Sequence, residues 1–207
     1  MIIEWIQRQK ARNILKGKKI RETTFVVCDL ETTGLDIKKD RILSIGLTRI
    51  KGLRLSPDDC WWTHIEDVEY AGSGANIHQI TSEELLAGRP LEESLKEIRE
   101  WMAESVFVGH HAMLDHGILQ REFKRSGIPP LEPIFVDTIH LAQRIERKDT
   151  IPRHGQYSLE SLCDRWSIPH PSVHDALSDA WVTGGLFVRM VKHLERRGVN
   201  RTSQLFH

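Results

Sequence analysis

Short apolar runs alternate along this chain with longer segments whose apolar residues recur at helical spacing. Five apolar runs predict β-strands, at residues 24–30, 42–50, 53–64, 105–109 and 133–137. Lys51-Gly52 marks a tight turn, so we expect the first three strands to form an antiparallel meander. Helices are expected near residues 91–102, 113–126, 138–145, 158–165 and 175–196, and Thr81-Ser82-Glu83-Glu84 carries a further helix-start signal.

The order of these elements predicts the fold class. Three strands come first and strands then alternate with helices, which favours an α/β fold with a mixed five-stranded sheet flanked by helices. We expect one domain over residues 22–200, followed by a C-terminal tail at 201–207. Residues 147–157 are polar and irregular, and they predict a mobile loop within that domain.

Residues 1–21 are expected to form a basic N-terminal helix or arm. Seven Lys or Arg and no acidic residue lie between Arg8 and Arg21. Two interpretations stay open at this point. The segment is either a solvated amphipathic helix or an arm that helps to hold a phosphate backbone.

The composition is that of an ordinary globular protein. The 207 residues are 40% hydrophobic and 28% charged, and the formal net charge is zero, which neither favours nor excludes a nucleic-acid partner. The three cysteines are far apart in sequence and predict neither a disulfide framework nor a cysteine metal site. No apolar run has the length of a signal peptide or a membrane span, so we expect a soluble cytoplasmic protein with no membrane partner.

Three groups of polar residues carry the candidate chemistry. Asp29 and Glu31 end the first strand two residues apart, so their side chains should point to the same face of the sheet. Asp115 lies where a helix is expected to begin, and His174 precedes Asp179 by five residues at the start of the last helix. Taken singly, these groups favour a polar strand end, a helix N-terminal acid and a capping or surface histidine. Gathered in one place, the four carboxylates would repel one another unless cations lay between them.

The residue types in these groups suit one kind of reaction. Carboxylates are hard oxygen ligands that prefer Mg²⁺ or Mn²⁺ to Zn²⁺. Two such ions can activate a water and stabilise the leaving 3′ oxygen of a phosphodiester, and Asp29 is best placed to bridge both. The imidazole of His174 can take the proton of that water near neutral pH. The sequence therefore predicts a two-metal phosphodiesterase site.

Three motifs in this order resemble those of the DnaQ-like 3′–5′ exonucleases, in the DEDDh group of the ribonuclease H-like superfamily. Residues 29–35 (Asp-Leu-Glu-Thr-Thr-Gly-Leu) resemble the first motif, residues 108–115 (Val-Gly-His-His-Ala-Met-Leu-Asp) the second, and residues 174–180 (His-Asp-Ala-Leu-Ser-Asp-Ala) the third. Residues 76–81 and 157–162 resemble two weaker signatures. The similarity covers residues 24–188, and its specificity comes from the three motifs occurring together at this spacing.

The resemblance implies a ribonuclease H-like fold and release of nucleoside monophosphates from the 3′ end of a nucleic acid. It also implies two divalent cations, Mg²⁺ or Mn²⁺, with His174 as general base and metal ligands at Asp29, Glu31, Asp115 and Asp179. The substrate is expected near Thr32, Thr33, Leu35, Ile77, His78, Ile80 and His110. One departure is visible: His111 stands where the family commonly has Asn, which leaves the local hydrogen bonding open.

The substrate and the partner are less constrained than the reaction. We expect single-stranded DNA in a proofreading or repair role, with RNA or oligoribonucleotides as the alternative. A DNA polymerase is a candidate partner, but no polymerase-tethering extension follows the last helix, which favours a stand-alone enzyme. Nothing indicates the oligomeric state. The tryptophans Trp61, Trp62 and Trp101 are expected to pack against the sheet or the core rather than to stack on bases.

Two other classes of protein fit parts of the sequence. His174-Asp175 would suit an HD-type phosphohydrolase, but that fold is all-helical and five strands are expected here. The second alternative is a nucleic-acid-binding module that kept the fold and lost activity. Such proteins usually have an incomplete ligand set, whereas all five positions are filled in this chain.

Overall fold

A computed structural model describes residues 9–66 apart from 12, 80–146, 155–171 and 175–206. Five strands form one sheet: β1 (Phe25–Thr32), β2 (Ile42–Lys51), β3 (Arg54–His64), β4 (Val106–Gly109) and β5 (Phe135–Asp137). Their order across the sheet is β3-β2-β1-β4-β5. The pairs β1–β2 and β2–β3 are antiparallel, whereas β1–β4 and β4–β5 are parallel. The predicted meander and the mixed five-stranded sheet are both confirmed.

Within the described ranges, six α-helices follow or connect these strands. They are α1 (Ser82–Leu86), α2 (Leu91–Met102), α3 (Ala112–Arg125), α4 (Thr138–Glu146), α5 (Leu159–Trp166) and α6 (Ala176–Glu195). The predicted helix start at Thr81 is a capping box, because its hydroxyl accepts the N–H of Glu84 and the Glu84 side chain accepts the N–H of Thr81. Of the loop predicted at 147–157, residues 147–154 lie outside the described residues and 155–157 form a turn.

The sheet is covered on both faces, and each face has its own hydrophobic core. On one face, Phe25 and Val27 of β1 pack with residues of α4, α5 and α6. On the other face, Val26 and Cys28 pack with residues of α2 and α3. The helix α6 lies across β1, β2 and β3. The alternation of side chains along β1 therefore assigns each position of that strand to one core or the other.

The described part of the basic N-terminal segment packs against the rest of the protein. Residues 9–11 and 13–14 are helical, and Ala11, Leu15 and Ile20 are buried in the core that contains α6. Lys19 forms an isolated antiparallel bridge with Arg201. Although the segment is basic, its apolar positions are part of the domain core.

The last described residues complete this arrangement. A short 3₁₀ helix covers Thr202–Phe206, and Leu205 and Phe206 are buried in the same core. The N–H of Thr202 donates to the carbonyl of Lys18, and the N–H of Ile20 donates to the carbonyl of Asn200. Residues 18–20 and 200–202 thus lie side by side, at the end of the sheet where β1 begins. No helix among the described residues is long and apolar enough to cross a membrane.

Candidate active site

The first two acidic residues are presented by the central strand. Phe25, Val27, Asp29 and Glu31 alternate along β1, so all four face the side of the sheet that carries α6. Phe25 and Val27 are fully buried, while Asp29 and Glu31 are partly buried where the strand ends. On this face, Phe25 and Val27 pack against α6, whereas Asp29 and Glu31 lie at the end of the strand.

The helix α6 brings a third carboxylate to that edge. Its first turn is capped by Asp175, whose side chain accepts the N–H groups of Leu177 and Ser178 at 3.1 and 3.3 Å. Asp179 follows one turn later on the same helix. One carboxylate oxygen from each of Asp29, Glu31 and Asp179 lies within 4.8 Å of the other two. Such a group of oxygens is suited to a divalent cation.

A glycine that the sequence analysis missed permits this approach. Gly46 is paired with Asp29 across β1 and β2, and a β-carbon at Gly46 would lie 2.1 Å from the carbonyl oxygen of Ala176. The first residue of α6 therefore lies directly on the backbone of β2, where only hydrogen can fit. A Gly within an otherwise apolar strand is the signal that could have indicated this close approach.

Asp115 lies beside this group and is more deeply buried. It is in the first turn of α3 and is 6% exposed. The three oxygens that lie within 4.8 Å of one another do not include an Asp115 oxygen. Its negative charge nevertheless contributes to raising the pKa of Asp29, so the fourth predicted ligand belongs to the same electrostatic environment.

A second missed residue, Asp137, positions Asp115. His111 precedes α3 in the left-handed conformation (φ 56°, ψ 38°) and its side chain caps no backbone group of the helix. The carboxylate of Asp137 accepts the N–H of Ala112 at 3.0 Å and the N–H of Ile139 at 2.8 Å. A carboxylate from the neighbouring strand β5 thus accepts a hydrogen bond at the N-terminus of α3. The hydrogen bonding that His111 left open in the sequence is supplied by Asp137. An Asp at the end of the apolar run 133–137 was the available signal.

The collected carboxylates perturb one another strongly. The pKa of Asp29 is raised well above its ordinary value, first by burial and then by the charges of Asp115, Asp179, Glu31 and Asp175. The pKa of Asp115 is likewise raised, by burial and by the charges of Asp137 and Glu31. Bound divalent cations would offset this repulsion, so the donor set fits hard metal ions.

Hydrogen bonds stabilise the loop after β1, residues 32–41, and they are made by two residues that were predicted to contact substrate, Thr32 and Thr33. The Thr32 hydroxyl donates to the carbonyl of Gly34 at 2.7 Å. The Thr33 hydroxyl donates to Asp40 and accepts the N–H of Arg41, both at 3.0 Å. Both hydroxyls are thus engaged within residues 32–41, and the loop presents Leu35, which is 78% exposed.

An arginine of α3 holds this loop in place. The Arg121 guanidinium donates to the carbonyls of Ile37 and Asp40. It also donates to the Glu122 carboxylate, at 2.9 Å from Nε, and only 7% of the Glu122 side chain is exposed. The same helix that carries Asp115 therefore fixes the loop that carries Leu35.

The remaining predicted substrate residues have different surroundings. Ile80 is partly buried against the core beneath α2 and α3. His110 is partly buried, and its Nδ1 lies 2.8 Å from the Thr138 hydroxyl. Three predicted site residues, Ile77, His78 and His174, lie outside the described residues.

The tryptophans largely occupy packed positions. Trp61 is packed against the core beneath α2 and α3, with the Arg89 guanidinium 5.9 Å from its ring. Trp101 packs against the same core, with Arg49 at 4.1 Å. Trp62 differs from both, because 45% of it is exposed on the edge strand β3.

The fold and the site together define a class of protein. A mixed five-stranded sheet carries three clustered carboxylates at the end of its central strand, with a fourth beside them, and the fold is the ribonuclease H-like fold of its solved structural neighbours. The chain belongs to the exonuclease family whose model, RNase_T, matches residues 26–187. Membership among the DnaQ-like 3′–5′ exonucleases, inferred from the three motifs, is thereby confirmed. The all-helical HD alternative is wrong, because the chain contains this sheet.

Relatives and solved structures agree with this assignment. The PolC-type DNA polymerase III of Thermotoga maritima is 31% identical over 195 residues, which are 94% of this chain and 14% of that protein. The chain thus spans only about one seventh of the length of this curated relative. Escherichia coli exonuclease I, solved in complex with a dT13 oligonucleotide, gives a TM-score of 0.70 at 20% identity over 84% of this chain and 42% of that one. Exonuclease X, solved in complex with 5′ overhanging duplex DNA, gives 0.64 at 19% identity over 88% and 99%.

Proposed function

We propose that this protein is a divalent-metal-dependent exonuclease that removes nucleoside monophosphates from the 3′ end of single-stranded DNA. One observation carries the proposal. Three carboxylates from two different elements, Asp29, Glu31 and Asp179, place oxygens within 4.8 Å of one another in a domain of the exonuclease family. Repulsion among these carboxylates lowers the stability of the metal-free protein, and such a cluster is typical of a cation-binding site.

The roles follow from the position of each acidic residue. Asp29, Glu31 and Asp179, together with Asp115, would hold two ions, Mg²⁺ or Mn²⁺, since these are hard cations with oxygen ligands. When bound, such ions supply the positive charge that stabilises a phosphodiester as it is cleaved and lower the pKa of a water. The protein contributes the fixed placement of the ligands, which depends on Gly46 for Asp179 and on Asp137 for Asp115.

His174 is assigned as the general base from its motif. A neutral imidazole accepts a proton near neutral pH, and a water attacking the phosphodiester has a proton to lose. The next residue, Asp175, caps α6, the helix that carries Asp179. We expect His174 to affect the rate and not the binding of metal.

Single-stranded DNA is proposed as substrate on two grounds. Leu35, four residues after Glu31, exposes an apolar side chain, and an unpaired terminal base offers an apolar face to such a group. E. coli exonuclease I, which shares the fold, was solved with a dT13 oligonucleotide. RNA and oligoribonucleotides remain the alternative substrates. Association with a DNA polymerase is proposed as well, because the relative from T. maritima is a PolC-type DNA polymerase III.

The deciding experiment follows the length of labelled strands. Single-stranded DNA, duplex DNA, RNA and dinucleotides, each labelled at the 5′ end, are incubated with the protein and Mg²⁺ or Mn²⁺. A ladder that shortens from the 3′ end is expected, fastest for single-stranded DNA. Asp29→Ala should abolish it, whereas the exposed residue change Asp58→Asn serves as the matched control and should not. Failure to shorten any strand, with wild type and Asp29→Ala alike, would favour the inactive binding module instead.

A second measurement separates the base from the ligands. Mn²⁺ that binds only the folded protein raises Tm. At a Mn²⁺ concentration of 100 times Kd, the free energy of unfolding increases by about 2.7 kcal/mol. We expect His174→Ala to keep this rise while losing at least about 100-fold in rate, because a base is not a ligand. Asp179→Ala should lose both. If His174→Ala also loses the rise in Tm, then His174 binds metal and the assigned role is wrong.

A further inference from the structure

The positive charge of this chain is concentrated at one end of the molecule. Residues 16–22 and 189–206 contain nine Lys or Arg and two Glu, in a chain whose formal net charge is zero. These two segments are distant in sequence but are joined in the fold. The Arg201 guanidinium donates to the carbonyl of Gly17, Lys19 bridges to Arg201, and the N–H of Thr202 donates to the carbonyl of Lys18.

Several of these cations are exposed and available to a ligand. Lys16, Arg196 and Arg197 are exposed, and within the described part of the chain no carboxylate forms an ion pair with them. The two acids of the surface are already engaged, since Glu22 pairs with Lys19 at 3.2 Å and Glu195 pairs with Arg21 at 2.8 Å. The remaining cations repel one another, and an external polyanion would relieve that repulsion.

This surface is remote from the carboxylates. It lies where β1 begins and α6 ends, whereas the carboxylates lie where β1 ends and α6 begins. A helix of the length of α6, 20 residues, spans about 30 Å. A stacked strand advances about 3.4 Å per nucleotide, so about nine nucleotides are needed to cover that distance.

We propose that this basic end surface, formed by Lys16, Lys18, Lys19, Arg196, Arg197 and Arg201, is a second binding site for the phosphate backbone of the nucleic acid whose 3′ end is cleaved. The inference rests on the proposed function and extends it, because it makes affinity depend on substrate length. A long strand reaches both the carboxylates and the basic end surface. A strand shorter than about nine nucleotides reaches only one of them.

The test compares wild type with K16Q/R196Q/R197Q, which removes three exposed charges. R54Q/K96Q/K124Q is the matched control, because it removes three exposed charges from β3, α2 and α3. Binding of 5′-fluorescein-labelled oligo(dT) of about 6 and about 24 nucleotides is followed by anisotropy, with Ca²⁺ in place of Mg²⁺ so that the carboxylates hold cations while the strands stay intact. Salt titrations then give the slope of log K against log salt concentration.

We expect wild type and the control to bind the longer strand at least tenfold more tightly than the shorter one. K16Q/R196Q/R197Q should lose that preference, and its slope for the longer strand should fall by about 2, since each single-strand phosphate contact contributes about 0.7. Its Tm should equal that of wild type, because the three side chains are exposed. Equal affinity for both lengths in wild type, or an unchanged slope in K16Q/R196Q/R197Q, would overturn the proposal.

Cleavage of the shorter strand separates this inference from the proposed function. With Mg²⁺ present, wild type and K16Q/R196Q/R197Q should shorten the short strand at equal rates. If wild type shortens no strand but binds long ones through the basic end surface, the proposed activity fails and the binding site stands. If all strands are shortened and length does not affect affinity, the activity stands and the binding site fails.

Discussion

Gly46 lies so close to Ala176 that a β-carbon on the glycine would stand 2.1 Å from the alanine carbonyl oxygen. Gly46 is the strand partner of Asp29, and Ala176 begins the helix that carries Asp179 three residues later. The contact therefore sets the separation between a carboxylate on the sheet and a carboxylate on the helix. A backbone contact between two residues without any reactive group controls the geometry of the metal ligands.

Gly46→Ala is expected to reduce activity at least tenfold and to cost about 1–3 kcal/mol of stability, because the added methyl group forces α6 away from β2. The concentration of Mg²⁺ needed for half-maximal rate should rise, since the ligands move apart. Steady-state rates against Mg²⁺ concentration test this. Gly185→Ala is the control, because a β-carbon there has only Ile168 at 3.7 Å, and this helical substitution should leave the rate unchanged. A Gly46→Ala protein with normal metal dependence would contradict the role given to this contact.

Asp29→Asn is expected to abolish activity and at the same time to stabilise the metal-free protein at neutral pH. Burial and neighbouring carboxylates raise the pKa of Asp29, so the unfolded chain ionises more readily than the folded one. Folding stability from this group is therefore complete below its ordinary pKa of about 3.9 and is lost as pH rises through the raised value. Thermal unfolding with a chelator should show a higher Tm for Asp29→Asn at pH 7, with the gain disappearing near pH 3. A lower Tm at pH 7 would show that the carboxylate is stabilised by partners other than metal.

Arg121→Ala is expected to destabilise the protein by about 3 kcal/mol, because it removes the close partner of the buried Glu122. It should also raise KM, because the loop that presents Leu35 loses two backbone hydrogen bonds. The double variant Arg121→Ala/Glu122→Gln separates the two effects. Its stability should recover, since residue 122, which in Arg121→Ala keeps the weaker partner Arg125 at 3.7 Å, no longer carries a charge, while its KM should stay high. Recovery of both quantities would mean that the hydrogen bonds to the loop are irrelevant to substrate binding.

His110 is expected to make the protein less stable in mild acid. Burial and the nearby charge of His111 lower the pKa of His110 to about 4, while the backbone of Tyr157 acts in the opposite direction. A base with a lowered pKa contributes its full stability above the unfolded value of 6.5 and loses it as pH falls toward 4. By pH 5 the loss from His110 is about 2 kcal/mol. Urea unfolding at pH 7 and pH 5 should therefore show a smaller decrease for His110→Gln than for wild type, and an unchanged decrease for His140→Gln, a change on the exposed face of α4.

Much of the sheet could be predicted from the sequence, because each strand carries its own signal. The predictions for β2 and β3 agree with the structure to within one residue at each end. The fifth strand was predicted from residue 133 but begins at Phe135. Pro133 cannot donate a hydrogen bond to a neighbouring strand, and it should have shortened that prediction.

The parts of the site that could not be predicted depend on contacts between distant segments. Asp29 and Glu31 share a face because of strand alternation, which sequence reveals directly. Asp137 reaches the N-terminus of α3 only because β5 lies beside β4, a pairing that no local pattern encodes. Thr33 was expected near substrate, and its hydroxyl donates a hydrogen bond to Asp40, a contact within the loop that the motif does not reveal.

The N-terminal segment gives a further example. A solvated helix or an arm was predicted there, and that prediction was based on the Lys and Arg residues. The apolar residues Ala11, Leu15 and Ile20 have equal weight in the structure, because they are buried against residues from the other end of the chain. The described part of the segment therefore has a buried apolar side, which neither expectation included.

The adjacency of residues 18–20 and 200–202 has a consequence for how such a domain can be built into larger proteins. A host polypeptide that kept the buried residues Ala11, Leu15, Leu205 and Phe206 could enter and leave the domain near these two segments, with little change in the distance between its own flanking residues. Because this junction lies at the opposite end of β1 from Asp29, the host would adjoin the basic end surface and would not obstruct the carboxylates. The arrangement suits the domain for transfer, as a single insert, between unrelated architectures.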